Sequence, residues 1–151
     1  MASITDTELV DRLPGVLVDG DTKEFYRGWL ERRLVLNRCE DCGRWHHRPK
    51  PVCPDCWSDR VRPTPVSGRG TVYLLIWLRQ GPPADGVDYS TPHPVVTVEL
   101  DEQPGLRFTS TVTNAAMDEL AIGDRVELTW IERNGDPFPA FTRTPSAPAP
   151  R

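Results

Sequence analysis

Strand-like patterns of apolar and polar residues run through the second half of the chain. They occur in "VVTVEL", "LRFTSTVT", "RVELTWIE" and "FPAFTR", between residues 95 and 143. A further stretch, "TVYLLIWLRQ" at 71–80, is apolar on both faces, which indicates a strand that is central in a closed barrel or covered on its outer face. Turns rich in proline and glycine separate these stretches. Five strands predict a small closed barrel of the OB type over residues 66–144, since a sandwich needs around seven.

A helix is predicted before the barrel, over residues 22–36. Asp21 or Thr22 can cap it, and Glu24 falls in its first turn, where the helix dipole favours a negative charge. One face of this helix is aromatic and apolar, and it consists of Phe25, Tyr26, Trp29 and Leu30. This stripe suits docking on the protein's own core, and contact with a partner protein or a ligand entrance is the alternative.

The two ends of the chain show no such pattern. Residues 1–21 are polar and acidic, and we expect an extended or partly disordered arm. Residues 145–151 belong to a tail of low complexity, for which disorder is expected. Sixteen prolines and eleven glycines favour turns over long helices. The predicted fold class is therefore mainly β, with an N-terminal helix and a five-stranded OB-type barrel.

All four cysteines lie in "RCEDCGRWHHRPKPVCPDCWSDR", within a segment 37–65 that we interpret as a rubredoxin-like zinc ribbon. They form two Cys-x-x-Cys pairs, and the predicted metal ligands are Cys39, Cys42, Cys53 and Cys56. Four thiolates close the coordination shell, so the zinc is expected to be structural rather than catalytic. A thioredoxin-like redox centre is the alternative, although neither pair opens a helix after a strand.

Two histidines, His46 and His47, stand between the cysteine pairs. With four cysteines available they are spare, and we expect them to be surface or stacking residues. Replacement of one cysteine ligand by a histidine is the alternative. The segment 22–62 carries ten basic and six acidic side chains, a net charge of +4, whereas the whole chain has −4. This basic region suits phosphate groups or an acidic partner, and a solvated surface is the other interpretation.

No other catalytic signature is present in the sequence. There is no G-x-S-x-G, no Walker-type loop, no H-E-x-x-H and no G-x-G-x-x-G after a strand. No catalytic residue is predicted, and acting alone the chain does not look like an enzyme. The chain has no run of eighteen apolar residues and no start typical of a secretory signal. We therefore expect a cytoplasmic protein that does not enter a membrane.

The order of a helix, a four-cysteine ribbon and a small barrel resembles a known family, the acyl-CoA-associated zinc-ribbon/OB-fold family found beside thiolases. The resemblance rests on "KEFYRGWLERRLVLNRCEDCGRWHHRPKPVCPDCWS", "SGRGTVYLLIWL", "PHPVVTVELDE", "LAIGDRVELTW" and "PAFTRT", within residues 22–144. It implies zinc bound by Cys39, Cys42, Cys53 and Cys56. The motif does not specify which positions contact a substrate or cofactor.

The resemblance also implies a function. Family members are non-catalytic companions of thiolase-like enzymes that act on acyl-CoA thioesters, and some pair with lipid-transfer-type aldolases of steroid side-chain breakdown. We therefore expect an accessory subunit, in a heterotetramer with such a partner, with acyl-CoA bound at the complex. We expect it to contact the partner through the aromatic stripe of the helix and through the strand at 72–78, which is apolar on both faces.

Two other classes of function remain open. The first is a nucleic-acid-binding module, because zinc ribbons and OB barrels both bind nucleic acid and Tyr73 and Trp77 can stack on bases. Against it, residues 63–151 carry seven basic and eleven acidic side chains, whereas binding of single strands needs a basic groove. The second is an enzyme that uses the cysteines themselves, which would hold no metal.

Overall fold

The computed structural model describes residues 2–145. The described chain divides into two compact units, one with residues 2–66 and 135–138, the other with residues 67–134 and 139–145. Within the described residues, no helix is both long and apolar enough to cross a membrane. Of the tail predicted at 145–151, residues 146–151 lie outside the described residues.

The fold is mainly β with two short helices, as predicted. The helices and strands are α1 (Asp6–Arg12), α2 (Lys23–Leu30), β1 (Val35–Cys39), β2 (Trp45–His46), β3 (Val61–Pro65), β4 (Arg69–Leu78), β5 (His93–Leu100), β6 (Arg107–Ser110), β7 (Val112–Thr113), β8 (Arg125–Arg133) and β9 (Asp136–Arg143). A three-stranded sheet in the order β2-β1-β3 belongs to the first unit. The other sheet has six strands in the order β6-β5-β4-β8-β9-β7.

The N-terminal segment is not an extended arm throughout, and this prediction was wrong for α1. Thr5 and Glu8 form a capping box, in which each side chain accepts a hydrogen bond from the backbone N–H of the other residue. Leu9 is fully buried. The carboxylate of Asp6 pairs with the guanidinium of Arg27 on α2, and Arg27 also donates to the carbonyl of Ile4. Burial and these bonds offset the entropy of ordering the segment.

Helix α2 is shorter than the predicted helix of residues 22–36. It ends at Leu30, Arg32 has a left-handed φ of 56°, and β1 has begun by Val35. The N–H of Arg33 returns to the carbonyl of Gly28 at 2.7 Å. A Cβ on Gly28 would lie 2.5 Å from the carbonyl oxygen of Arg33, so this close return requires glycine.

The aromatic stripe of α2 lies in the core of the first unit. Its four members, Phe25, Tyr26, Trp29 and Leu30, are at most 8% exposed. The rings of Phe25 and Trp29 pack edge to face with a centroid distance of 5.5 Å, and Trp29 meets Phe138 at 5.3 Å. Docking on the protein's own core is therefore the correct interpretation, and the expectation that this stripe docks a partner was wrong.

The second unit contains the predicted OB-type barrel. Five strand-forming runs are observed, since β6 and β7 are two parts of one run that is interrupted at Thr111. β6 pairs antiparallel with β5, and β7 pairs parallel with β9, so the same run stands at both ends of the strand order and closes the sheet. The fully buried interior includes Val72, Val96, Val98, Val126 and Phe141.

Strand β4 leaves an apolar surface uncovered in this barrel. It pairs with β8 only at Arg69, Gly70 and Thr71, and its register with β5 shifts between Val72 and Leu74. Beyond this bulge, alternate burial is lost. Tyr73, Leu74 and Ile76 are 50%, 49% and 46% exposed. The strand that was predicted to be apolar on both faces thus exposes part of its apolar surface in the described structure.

Candidate metal centre

The two Cys-x-x-Cys pairs form turns with the same backbone pattern. The N–H of Gly43 donates to the carbonyl of Cys39 at 2.9 Å. The N–H of Trp57 donates to the carbonyl of Cys53 at 3.0 Å. Gly43 and Trp57, each following the second cysteine of its pair, have left-handed φ values of 75° and 64°. The chain therefore builds two equivalent knuckles, one at the end of β1 and one before β3.

The knuckles bring the four sulfur atoms together. The Sγ atoms of Cys39 and Cys56 are 3.6 Å apart, and those of Cys42 and Cys53 are 3.7 Å apart. All four lie within 4.8 Å of one another. Zn–S bonds of about 2.3 Å in a tetrahedron require S···S distances of about 3.8 Å. The spacing fits one zinc ion, and it is far longer than the S–S bond of about 2.05 Å in a disulfide.

The surroundings of the sulfurs favour a cation. The pKa of Cys39 is lowered to about 7, chiefly because the backbone N–H of Cys42 hydrogen-bonds to its sulfur. The pKa of Cys56 is raised to about 12: the backbone N–H of Ser58 lowers it, but the neighbouring sulfur of Cys39, burial, and the sulfurs of Cys42 and Cys53 together outweigh that effect. Sulfurs this close cannot all be deprotonated unless a divalent cation lies between them, so this zinc ribbon holds a structural zinc, and four thiolate ligands close its shell to substrate.

Cys39 and Cys53 are buried, whereas Cys42 and Cys56 are exposed. Among the described residues, this group of cysteines is the one cluster of three or more potential metal ligands close enough to hold an ion. Each knuckle is tied to charged neighbours, since Arg44 pairs with Asp55 at 2.8 Å and Arg60 pairs with Asp41 at 2.8 Å. These pairs are exposed, so they contribute little to stability by themselves.

The two histidines lie in the unit that holds the cysteines. His46 ends β2, and its pKa is lowered by burial. The ring of His47 packs on Phe25 with a centroid distance of 5.1 Å. Burial, together with the positive charge of Arg48, lowers the pKa of His47 to about 4. Its role in the described structure is a stacking one within the aromatic core, which is one of the two expected roles.

The left-handed conformation of Trp57 in the second knuckle was not predicted from the sequence. Gly43 marks the left-handed position of the first turn, but the equivalent position of the second turn is Trp57, whose side chain is 81% exposed. A residue with a Cβ is disfavoured in this conformation. The available signal was the alignment of "CEDCG" with "CPDCW", which places Trp57 where glycine stands in the first pair.

Comparison with known proteins identifies a zinc-ribbon domain followed by an OB-fold domain. The family model described as the ChsH2 rubredoxin-like zinc ribbon domain matches residues 27–62. The model described as the ChsH2 C-terminal OB-fold domain matches residues 63–130.

Individual relatives extend the comparison. A DUF35 domain-containing scaffold protein of Pyrococcus furiosus is 30% identical over 105 residues, covering 69% of this chain and 74% of the relative. A probable enoyl-CoA hydratase alpha subunit of Thermomonospora curvata is 33% identical over 132 residues, covering 83% of this chain. The chain spans only 40% of the length of that hydratase subunit.

Solved structures show the same architecture. A chain of the Ltp2-ChsH2(DUF35) aldolase superposes with a TM-score of 0.74 at 31% identity, over 85% of this chain and 98% of that one. A DUF35 protein of unknown function from Sulfolobus solfataricus superposes with a TM-score of 0.54 at 12% identity, over 82% of this chain and 86% of that one, which shows the fold alone.

Proposed function

The chain belongs to the DUF35 family of ChsH2-type zinc-ribbon/OB-fold proteins, and from this premise we propose that it is an accessory subunit of an acyl-CoA enzyme. The partner is a thiolase-like protein of the lipid-transfer type, and the complex is a retro-aldolase of steroid side-chain degradation. Cys39, Cys42, Cys53 and Cys56 are the zinc ligands in this proposal. The observation that carries it is the likeness to a chain of the Ltp2-ChsH2(DUF35) aldolase along almost the whole of that chain.

The closed metal centre supports a non-catalytic role for this chain. Four thiolates occupy all positions of a tetrahedral zinc, so no position is left for water or a thioester carbonyl. The zinc then acts by holding the small ribbon folded, because metal binding contributes directly to the free energy of folding. The carbon–carbon bond is cleaved by residues of the partner in this proposal.

The exposed part of β4 supports docking. Tyr73, Leu74 and Ile76 follow closely along β4 and are about half exposed, so this stretch presents apolar side chains to solvent. If half of each side chain became buried in an interface, the gain would be roughly 1 kcal/mol per residue at about 25 cal/mol per Å². We assign this stretch, the β4 surface, as a contact surface for the partner.

The barrel gives little support to nucleic-acid binding. A base would need a free aromatic face, but the guanidinium of Arg107 lies over the ring of Tyr73 at 3.6 Å from its centroid. The negative net charge of residues 63–151 opposes a phosphate backbone as well. We therefore make no second proposal for the barrel.

Co-expression tests the proposal. The chain is produced together with a thiolase-like protein of the lipid-transfer type, and the mass of the complex is measured together with retro-aldol cleavage of steroid side-chain acyl-CoA substrates. We expect a heterotetramer with two copies of each chain and an activity that neither chain has alone. Two independent proteins, or full activity of the partner alone, would refute the proposal.

A matched pair of variants tests the β4 surface. Leu74→Arg places a charge at a position that is 49% exposed, and Ile122→Arg does the same at a position of the same unit that is 62% exposed. We expect Leu74→Arg to weaken the complex at least tenfold, because a buried unpaired charge is costly, and Ile122→Arg to leave it unchanged. Equal effects of the two substitutions would place the interface elsewhere.

A further inference from the structure

A row of three side chains crosses the small sheet of the first unit. Arg38 on β1 stands opposite Trp45 on β2 and opposite Arg62 on β3. Residues directly opposite each other in antiparallel strands have their side chains on the same face. Successive residues alternate between faces, so Cys39, next to Arg38 along the strand, belongs to the opposite face. Two arginines thus stand side by side on the face away from that metal-binding sulfur.

This pairing of like charges is unusual because it is incompletely neutralised. Like charges directly opposite each other destabilise a sheet. Within residues 2–145, no carboxylate lies within 4.0 Å of the guanidinium of Arg38. Arg62 approaches Glu40 at 3.8 Å, but the same carboxylate also pairs with Arg60 at 3.3 Å. The row therefore has an excess of positive charge.

One of the two guanidinium groups is held in place. The guanidinium of Arg38 lies over the ring of Trp45 at 5.3 Å from its centroid, and its Nε donates to the carbonyl of Gly43 at 3.3 Å. These two contacts fix the plane of the group and leave its two terminal nitrogens without a described partner. A fixed guanidinium loses little conformational freedom when it binds an anion.

A cavity of about 390 Å³ adjoins the row. It is lined by Arg38, Cys39, Glu40, Gly43, Arg62 and Thr64. Its volume falls within the range of small-molecule sites, about 300–1,000 Å³. Its lining carries two arginines against one carboxylate.

We propose that Arg38 and Arg62 form a binding site for the phosphate groups of a small anionic ligand in this cavity. Guanidinium groups bind phosphate oxygens through pairs of parallel N–H···O bonds, and a dianionic phosphate placed between the arginines removes their mutual repulsion. The site is independent of the proposed function. Only the identity of its natural ligand, the diphosphate of an acyl-CoA, rests on that function.

Titration with inorganic pyrophosphate tests the site on the zinc-loaded full chain without any partner. Binding is measured by calorimetry at low ionic strength for the wild type, Arg38→Gln, Arg62→Gln and the control Arg33→Gln. Arg33 is a matched control because its side chain is 56% exposed, against 58% for Arg62, and it pairs with Glu31 outside the cavity. We expect each cavity variant to weaken binding at least tenfold, and the control to weaken it less than twofold.

Three results would overturn the proposal. The first is no binding of pyrophosphate to the wild type, and the second is an equal loss in Arg33→Gln, which would indicate a non-specific effect of net charge. The third is unchanged pyrophosphate binding in Arg62→Gln with weaker zinc binding, which would mean that the arginines neutralise the thiolates instead. Zinc content and an NMR spectrum of each variant establish that it is folded. Because no partner is present, failure of the complex to form would leave this test unaffected.

Discussion

Protonation of His47 should destabilise the first unit at acid pH. The half-buried imidazole packs on Phe25 of the aromatic core, and burial lowers its pKa to about 4. The repulsion from Arg48 and from His46 acts in the same direction. In the unfolded chain a histidine has a pKa of about 6.5. Between these two values the unfolded state binds more protons than the folded state, so stability falls as the pH falls.

The size of the effect follows from the two pKa values. The contribution of neutral His47 is fully present above pH 6.5 and is lost progressively as the pH falls toward about 4. A difference of about 2.5 pKa units corresponds to about 3 kcal/mol in total, at 1.36 kcal/mol per unit. Of this total, about 2 kcal/mol is lost between pH 7.5 and pH 5.

Chemical denaturation of the wild type and of His47→Phe measures this contribution. The free energy of unfolding is determined for both proteins at pH 7.5 and at pH 5 with zinc in excess. Loss of zinc at low pH affects both proteins and cancels in the comparison. We expect the wild type to lose about 2 kcal/mol more than His47→Phe between the two pH values. Equal losses in the two proteins would show that His47 is not held neutral in the core.

Three further predictions concern the metal centre and the N-terminal helix. Cys53→Ser should lower the zinc content from one ion per chain toward none and unfold the ribbon. Native mass spectrometry measures the zinc content, and an NMR spectrum measures the folding. Retention of a full zinc ion would contradict the assignment of Cys53 as a ligand. Leu9→Ala should lower the free energy of unfolding by about 3 kcal/mol, because Leu9 is 0% exposed, whereas Val10→Ala at a 56% exposed position should change it by less than about 0.5 kcal/mol. Equal small effects would mean that α1 is not docked. Trp57→Gly should be more stable than Trp57→Ala by about 1 kcal/mol, because only glycine adopts φ of 64° without strain, and no difference in thermal unfolding would argue against this backbone conformation.

Local patterns predicted the elements that depend on neighbouring residues. The alternation in "VVTVEL" and "RVELTWIE" was sufficient for β5 and β8, because a strand with one buried face needs a period of two whatever its partner is. The Cys-x-x-Cys spacing was sufficient for a zinc ribbon, because a tight turn alone places two sulfurs on one metal ion. The capping box of Thr5 and Glu8 was equally local and could have predicted α1, but it was not recognised.

Other features depend on residues that are distant in the sequence. The burial of the α2 stripe depends in part on Phe138, more than a hundred positions later, which packs on Trp29. The exposure of Tyr73, Leu74 and Ile76 follows from where β8 stops pairing with β4, which the pattern of "TVYLLIWLRQ" does not reveal. The pairing of Arg38 with Arg62 is set by the register of two strands separated by both cysteine knuckles.

The sequence by itself therefore determined the class of fold, the zinc ribbon and the family resemblance, because these depend on spacing and period along the chain. Only the tertiary structure decided which apolar residues are buried, which remain available to a partner, and which charges stand opposite each other. The physical reason is that burial and cross-strand contact are properties of pairs of segments. A side chain that is buried in one packing is exposed in another, with no change in its own sequence neighbourhood.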